Sequence, residues 1–222
     1  MTDLAIYDMD RTITRRATYT PFLIHAARTR APWRLALAPA VAGSMAAYVV
    51  KIIGRSRLKE INHRLLLGRE RSDAELAPLV EAFADRTIAT NLQPGALRAI
   101  ARDCAEGRRL VMATASYALY AEAIAERLGF DDVIATRSVR SPDGRLLARI
   151  DGENCYGPAK LRMIEAWLAE KAIEPAHVRF YSDHASDAPV FDWADEAVAV
   201  NPHPPLRRLA TAKGWRIEDW RG

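Results

Sequence analysis

The chain reads as an α/β protein, a mainly parallel sheet with helices on both faces. Three observations predict it. From Gln93 onward, short apolar runs alternate with amphipathic stretches, the pattern of strand–helix–strand units. Three of the apolar runs in the chain stop abruptly at a polar residue, Asp8, Thr114 or Asp183, as buried parallel strands do at a sheet edge. Between the first two of these, residues 15 to about 88 show helical periodicity and few strand signals, so a helical segment interrupts the body.

The elements follow in order. Leu4-Ala5-Ile6-Tyr7 is the first strand and runs into a loop, Asp8-Met9-Asp10-Arg11-Thr12. Helices are expected over 19–30, 33–53, 56–67 and 73–90. Ser72 or Asp73 caps the last of these, with Asp73 and Glu75 near its positive end. Pro94 sits in the first turn of a helix that runs to Glu106 and is closed by Gly107. Strand 109–113 and helix 117–128 come next, then strand 132–136 and a hairpin turning at Pro142-Asp143-Gly144. Helix 159–171, strand 178–182, a short helix at 187–193 and strand 196–200 complete the body. No internal repeat or low-complexity stretch interrupts this order.

The 222 residues can bury one sizeable core and a small second unit. Half are hydrophobic and 27% are charged, which argues against disorder. A first strand beginning near Leu4 leaves no room for a cleavable secretory signal. Cys104 and Cys155 lack metal-ligand spacing and read as thiols of a reducing compartment. A cytoplasmic protein is therefore expected. His184, next to Asp183, lies in a loop already supplied with carboxylates and is not read as a base. Residues 25 to 71 hold ten Arg and Lys against Glu60 and Glu70, a local +8 in a chain whose net charge is +4. These charges are not interleaved with a stacking aromatic platform, so no nucleic-acid partner is expected.

Asp8 and Asp10 carry the first chemical signal. Two carboxylates at a sheet edge repel one another and lose hydration, and are tolerated when a cation or a proton joins them. A surface turn rich in Asp is the plain alternative. Further on stand Thr114 at a strand end, Lys160 opening the amphipathic helix Leu161 to Leu168, and Asp183 with Asp187. Outside a shared pattern, Thr114 would be a strand-end hydrogen bonder and Lys160 a solvated helix residue.

Taken in register, these four motifs resemble the haloacid dehalogenase-like superfamily, in the branch that holds the phosphoserine phosphatases. The resemblance covers nearly the whole chain and extends to the tail, where Asn201-Pro202 precedes Leu206, Ala210 and Gly214-Trp215. It implies a Rossmann-like core of residues 1–15 and 90–222, with a helical cap, 16–89, inserted after the first strand. It also implies a Mg²⁺-dependent phosphomonoester hydrolase. Asp8 would be the nucleophile that forms an aspartyl-phosphate, and Asp10 the general acid and then base. The Asp8 carboxylate, the Asp10 backbone carbonyl and Asp183 would hold Mg²⁺, with Asp187 orienting the metal's shell. Thr114 and Lys160 would bind the substrate phosphate, and Thr12 would serve it by bracing the first loop. A phosphotransferase, or a catalytically vestigial, membrane-associated phosphate-binding protein, is the alternative.

The substrate is less legible. Phosphoserine phosphatases carry a Glu nine residues after the nucleophile, where this chain has Ala17; a gapless match places their amino-acid-binding Arg at Asn62. Groups for both charges of an amino acid are missing, which disfavours phosphoserine. Leu35 to Val50 is a sixteen-residue run without charge, bracketed by Arg34 and Lys51. As helix it spans ~24 Å, short of a ~30 Å hydrocarbon core. Three readings stay open: a buried cap helix, a peripheral contact of 31–57 with an anionic membrane, and a homodimer contact. The second gives a phosphorylated lipid a route to the site; otherwise the substrate is a phosphorylated small molecule.

Overall fold

Strand β1 (Thr2–Tyr7) occupies the middle of the sheet because Leu4, Ala5, Ile6 and Tyr7 are all fully buried. The computed structural model describes residues 1–221. Its other strands are β2 (Glu70–Arg71), β3 (Arg109–Tyr117), β4 (Asp132–Arg140), β5 (Leu146–Asp151), β6 (Pro175–Ser182), β7 (Glu196–Val200) and β8 (Arg216–Glu218). They form one sheet in the order β2-β5-β4-β3-β1-β6-β7-β8. All pairings from β4 to β8 are parallel, while β5 is antiparallel to both β4 and β2.

Helices α1 (Tyr19–Arg30), α2 (Ala38–Val49), α3 (Arg55–Leu66) and α4 (Asp73–Thr90) lie in sequence between β1 and β3, ahead of α5 (Pro94–Ala105). The remaining helices are α6 (Ala118–Arg127), α7 (Pro158–Glu170), α8 (Ala188–Trp193) and α9 (Pro204–Lys213). Side-chain alternation along β1 sends Leu4 and Ile6 into one core with Val111, Phe180 and residues of α7 to α9. Ala5 and Tyr7 enter the other core, with Met112, Tyr181 and residues of α1, α4, α5 and α6. Burying each large apolar side chain contributes ~1.5–3 kcal/mol, so this double-sided packing fixes β1 firmly. The Tyr7 and Tyr181 rings stack 4.3 Å apart, and both hydroxyls donate to the buried Asp103 carboxylate of α5.

The expected α/β class stands, and the differences lie in the helical segment, the lengths of β3 and β4, and the tail. The single helix expected over 33–53 is instead a 3₁₀ turn, Pro32–Leu37, followed by α2. Pro39, with no N–H to donate, suits the first turn of a new helix rather than the middle of one. The reading of 35–50 as a buried helix is corrected, since Ser44 alone is buried in α2. Strand β2, unread in the sequence, pairs Glu70 with Leu147 and Arg71 with Leu146, tying the helical segment to the hairpin. Strand β3 runs on past Ala113 to Tyr117. The tail adds α9 and β8 beyond the last strand read from sequence. Among the described residues no helix is long and apolar enough to cross a membrane.

Candidate active site

Register brings the polar strand ends together. Tyr7 pairs with Met112 on one side and Tyr181 on the other. Asp8, Thr114 and Asp183, one or two residues further along, therefore emerge at the same edge of three adjacent strands. This is also where the chain order reverses: β3 and β4 lie to one side of β1, β6 and β7 to the other. Open α/β sheets bind ligands at such a crevice. The Asp8 N–H donates to the Tyr181 carbonyl at 2.9 Å, holding the first loop against β6. The loop then folds back through one π-type turn, Met9–Ile13, with Arg11 at φ 65°.

One ammonium joins two of the carboxylates. Lys160 enters near the start of α7, after Gly157, whose φ of 60° and ψ of −136° favour a residue without Cβ. Its Nζ donates to Asp8 Oδ1 at 2.8 Å and to Asp187 Oδ2 at 2.7 Å, and the side chain is almost completely buried. The Ser182 hydroxyl also donates to Asp187 Oδ2, while Asp187 Oδ1 is buried with no hydrogen-bond partner. Burial pushes the Asp8 carboxyl up to about 6, with Lys160 opposing the rise and Asp187 adding to it. Burial, followed by the charges of Asp8 and Asp187, pushes Asp183 up to about 8. For Lys160, burial favours the neutral amine, but Asp187 and Asp8 outweigh it and hold the proton.

Asp10 is held separately. Its Oδ1 accepts from the Thr18 N–H at 2.8 Å and the Thr18 hydroxyl at 2.7 Å, and its Oδ2 from the Ser116 hydroxyl at 2.8 Å. Tyr120 donates in turn to Ser116 Oγ. The Ser116 N–H donates to Thr114 Oγ1 at 3.0 Å, which orients that hydroxyl. Thr12 is fully buried, donates weakly to Asp8 Oδ2 at 3.3 Å and does not line the cavity. It bears on the carboxylate rather than on the open space.

Asp8, Asp10, Thr114, Lys160, Asp183 and Asp187 all line one cavity of about 260 Å³, beside Arg11, Arg55, Tyr156 and His184. No ready cluster of three or more metal-ligating side chains is closed among the described residues; Lys160 stands between Asp8 and Asp187. His184 Nδ1 is engaged by Ser186, and its ring stacks on His203 at 4.4 Å. A larger cavity of about 530 Å³, lined by residues of α1 and α4, contains none of these six side chains.

A second chamber of about 270 Å³ shares Asp10, Ala17, Arg55 and Ala115 with the first. Tyr19, Met45, Tyr48, Leu58, Lys59 and Asn62 also line it. Its wall also carries a basic side chain, Lys59. Lys59 is buried, donates to Asn154 Oδ1 at 2.9 Å and to the Ala115 carbonyl, and stands 4.7 Å from the Tyr117 ring centre. Burial, with Arg55 adding, pushes its amine down to about 7 against the pull of Asp10. Asn62 accepts from Ser44 at 2.7 Å.

Thr18, Ser116, Arg55 and Lys59 were missed in the sequence. Ser116, two residues after Thr114 on an alternating strand, carried the one usable signal; the others gain meaning only through tertiary contact.

A structure of a protein of unknown function from Bordetella pertussis Tohama I superimposes with a TM-score of 0.89 at 28% identity, covering 99% of this chain and 100% of that one. Protein CicA of Caulobacter vibrioides is 32% identical over 197 residues, 87% of this chain and 83% of its own. Phosphoserine phosphatase SerB1 of Mycobacterium tuberculosis is 32% identical over 151 residues, 68% of this chain, which spans about half (49%) of SerB1. A phospho-aspartyl intermediate analogue of a phosphoserine phosphatase shares the fold, with a TM-score of 0.63 at 17% identity, covering 100% of this chain and 94% of that one. The model of the haloacid dehalogenase-like hydrolases matches residues 5–192. That match, over most of the chain, shows that the chain belongs to the haloacid dehalogenase-like hydrolase family.

Proposed function

We propose that the protein is a Mg²⁺-dependent phosphomonoester hydrolase working through an aspartyl-phosphate on Asp8, with residues 16–89 acting as a cap over a core of 1–15 and 90–222. The observation that carries this reading is the Asp8–Lys160–Asp187 chain, buried at the edge where Thr114 and Asp183 also emerge. A binding protein gains nothing from a nucleophile, whereas a hydrolase acting through an aspartyl-phosphate needs a carboxylate placed in this way.

The donors fit a hard divalent cation. They are carboxylate oxygens, one of them, Asp187 Oδ1, buried without a partner, and Asp8 and Asp183 are carboxyls whose charge the fold leaves undercompensated. Asp8, Asp183 and the Asp10 carbonyl would hold the ion, with Asp187 orienting its shell. When bound, Mg²⁺ supplies positive charge against the developing phosphoryl charge. The chain's own residues do the rest. An Asp8 oxygen attacks phosphorus, and the ester oxygen leaves with a proton from Asp10, aimed by Thr18 and Ser116. Asp10 then takes a proton from water as that water breaks the acyl-phosphate. Lys160 and Thr114 hold the phosphoryl oxygens.

The leaving alcohol would lie in the second chamber. Its Tyr19, Met45, Tyr48 and Leu58 walls suit an amphiphilic or lipid-like group, and Lys59 and Asn62 suit a polar atom on it. The basic, partly apolar cap thus selects the substrate. Ala17 and Asn62, in place of the Glu and Arg of phosphoserine phosphatases, support a substrate other than phosphoserine.

Magnesium-dependent release of phosphate from p-nitrophenyl phosphate tests the reaction. Activity lost to a chelator and restored by Mg²⁺ is expected; no release under any divalent ion sinks the proposal. Transfer of the phosphoryl group to an added alcohol in preference to water would make it a phosphotransferase. Comparing phosphorylated metabolites with phosphorylated lipids, each normalised to the generic ester, then tests the chamber.

A further inference from the structure

Helix α2 reverses the usual polarity of a surface helix. Ser44, its one buried residue, donates to the Val41 carbonyl and to Asn62. Pro39, Ala42, Ala46 and Val49, a stripe at three- and four-residue spacing, are all exposed. A solvent-facing helix ordinarily carries charge on that stripe; α2 carries none anywhere along its length. Apolar exposure continues at both ends, with Trp33 64%, Val49 74%, Val50 63% and Ile52 76% exposed. Lys51 stands between the last two at φ 61°, in the left-handed region, at the turn that ends the helix.

Charge decides what covers this face. From Arg28 through Arg57 there is no Asp or Glu, against six Arg and Lys, of which Arg55 lines the site cavity. A second copy docked by a two-fold axis would set two such stretches against each other, like charge on like. An anionic bilayer meets both halves of the surface: headgroup phosphates for Arg30 and Lys51, which flank it in the chain, and acyl chains for the apolar face. Arg34, anchored on the Arg64 and Leu65 carbonyls, stands 4.8 Å from the Trp33 ring centre and props up this exposed indole, a side chain suited to the headgroup level. A helix of 12 residues is ~18 Å long and cannot span a ~30 Å core, so it would lie in the interface plane.

We propose that the surface from Trp33 to Ile52 docks the protein on an anionic membrane. This docking does not depend on the hydrolytic reading, and an inactive Asp8→Asn protein should dock as well as the wild type.

Co-sedimentation of the full chain with vesicles tests it, using phosphatidylglycerol mixed with phosphatidylcholine against phosphatidylcholine alone. Binding to the anionic vesicles should be about tenfold tighter or more and should weaken with added salt. The triple variant Trp33→Ser, Val49→Ser, Ile52→Ser should lose about tenfold in vesicle binding at an unchanged thermal midpoint. If that variant does not fold, Lys51→Glu carries the test, with a several-fold loss expected on anionic vesicles alone. Equal, negligible binding to both vesicle types overturns the proposal, as does wild-type binding by the folded triple variant or by Lys51→Glu. So does a dimer that the triple variant dissociates in a protein that binds no vesicles.

Discussion

Asp8 and Asp10 sit two positions apart yet answer to different neighbours. Asp8 is buried and shares Lys160 with Asp187, while Asp10 is turned toward Thr18 and Ser116. Two carboxylates with separate partners can take separate roles. Asp8→Asn keeps the shape and removes the attacking charge, so turnover should fall at least ~10³-fold in a folded protein. Near-normal hydrolysis by that variant would remove Asp8 from the mechanism. Thr18→Val combined with Ser116→Ala keeps the Asp10 carboxylate but strips the hydroxyl donors that aim it. Since misplacing a catalytic group by ~1 Å can cost ~10²-fold, kcat should fall by that order. Steady-state kinetics on p-nitrophenyl phosphate measures both.

At the scale of elements, the glycine at the start of α5 shows how tightly the sheet's underside is closed. A Cβ on Gly95 would stand 2.4 Å from the Trp220 side chain and 2.6 Å from its backbone, while the Gly95 N–H already donates to the Trp220 carbonyl. Gly95→Ala must therefore push α5 off the C-terminal segment, at a cost of ~1–3 kcal/mol in chemical denaturation. Contacts of this kind mark where sequence reading stops. The strand ends were legible because an apolar run broken by Asp or Thr is a local signal, and Lys160 because it opens an amphipathic helix. The α4 cap was local too, with Ser72 and Glu75 forming a capping box. Strand β2 is only two residues long and carries no periodicity, so nothing marked it before β5 was beside it. Helix α2 misled for the opposite reason: its composition reads as buried, and only the fold shows that little packs on it. Lys59 and Arg55 become site residues only when α3 is laid over the end of β3, a long-range event without a local trace.

Across the whole molecule, folding gathers more carboxylate than it neutralises at one edge, and pH should expose the imbalance. Asp8 and Asp183 hold protons more tightly in the fold than the ordinary value of 3.8, at about 6 and about 8. Their contribution to stability is thus fully present below that ordinary value and is lost as pH rises through the raised ones. Lys59 has the opposite sign. Its folded value of about 7 lies below the ordinary 10.5, so its contribution is present above the ordinary range and lost as pH falls toward 7. Other carboxylates titrate as well, so the clean quantity is a difference between variants. In metal-free protein, Asp183→Asn removes a charge the fold resists. Its thermal midpoint should gain on the wild type progressively as pH rises from about 4 to about 8 and then level off. Lys59→Met should gain on the wild type as pH falls from about 10.5 toward 7, where burying the ammonium costs the wild type most. Saturating Mg²⁺ should shrink or reverse the Asp183→Asn advantage, because the ion supplies the charge that the asparagine no longer needs. A midpoint difference for Asp183→Asn that stays flat across this range, with and without Mg²⁺, would show that Asp183 is not the undercompensated carboxylate that draws the cation in.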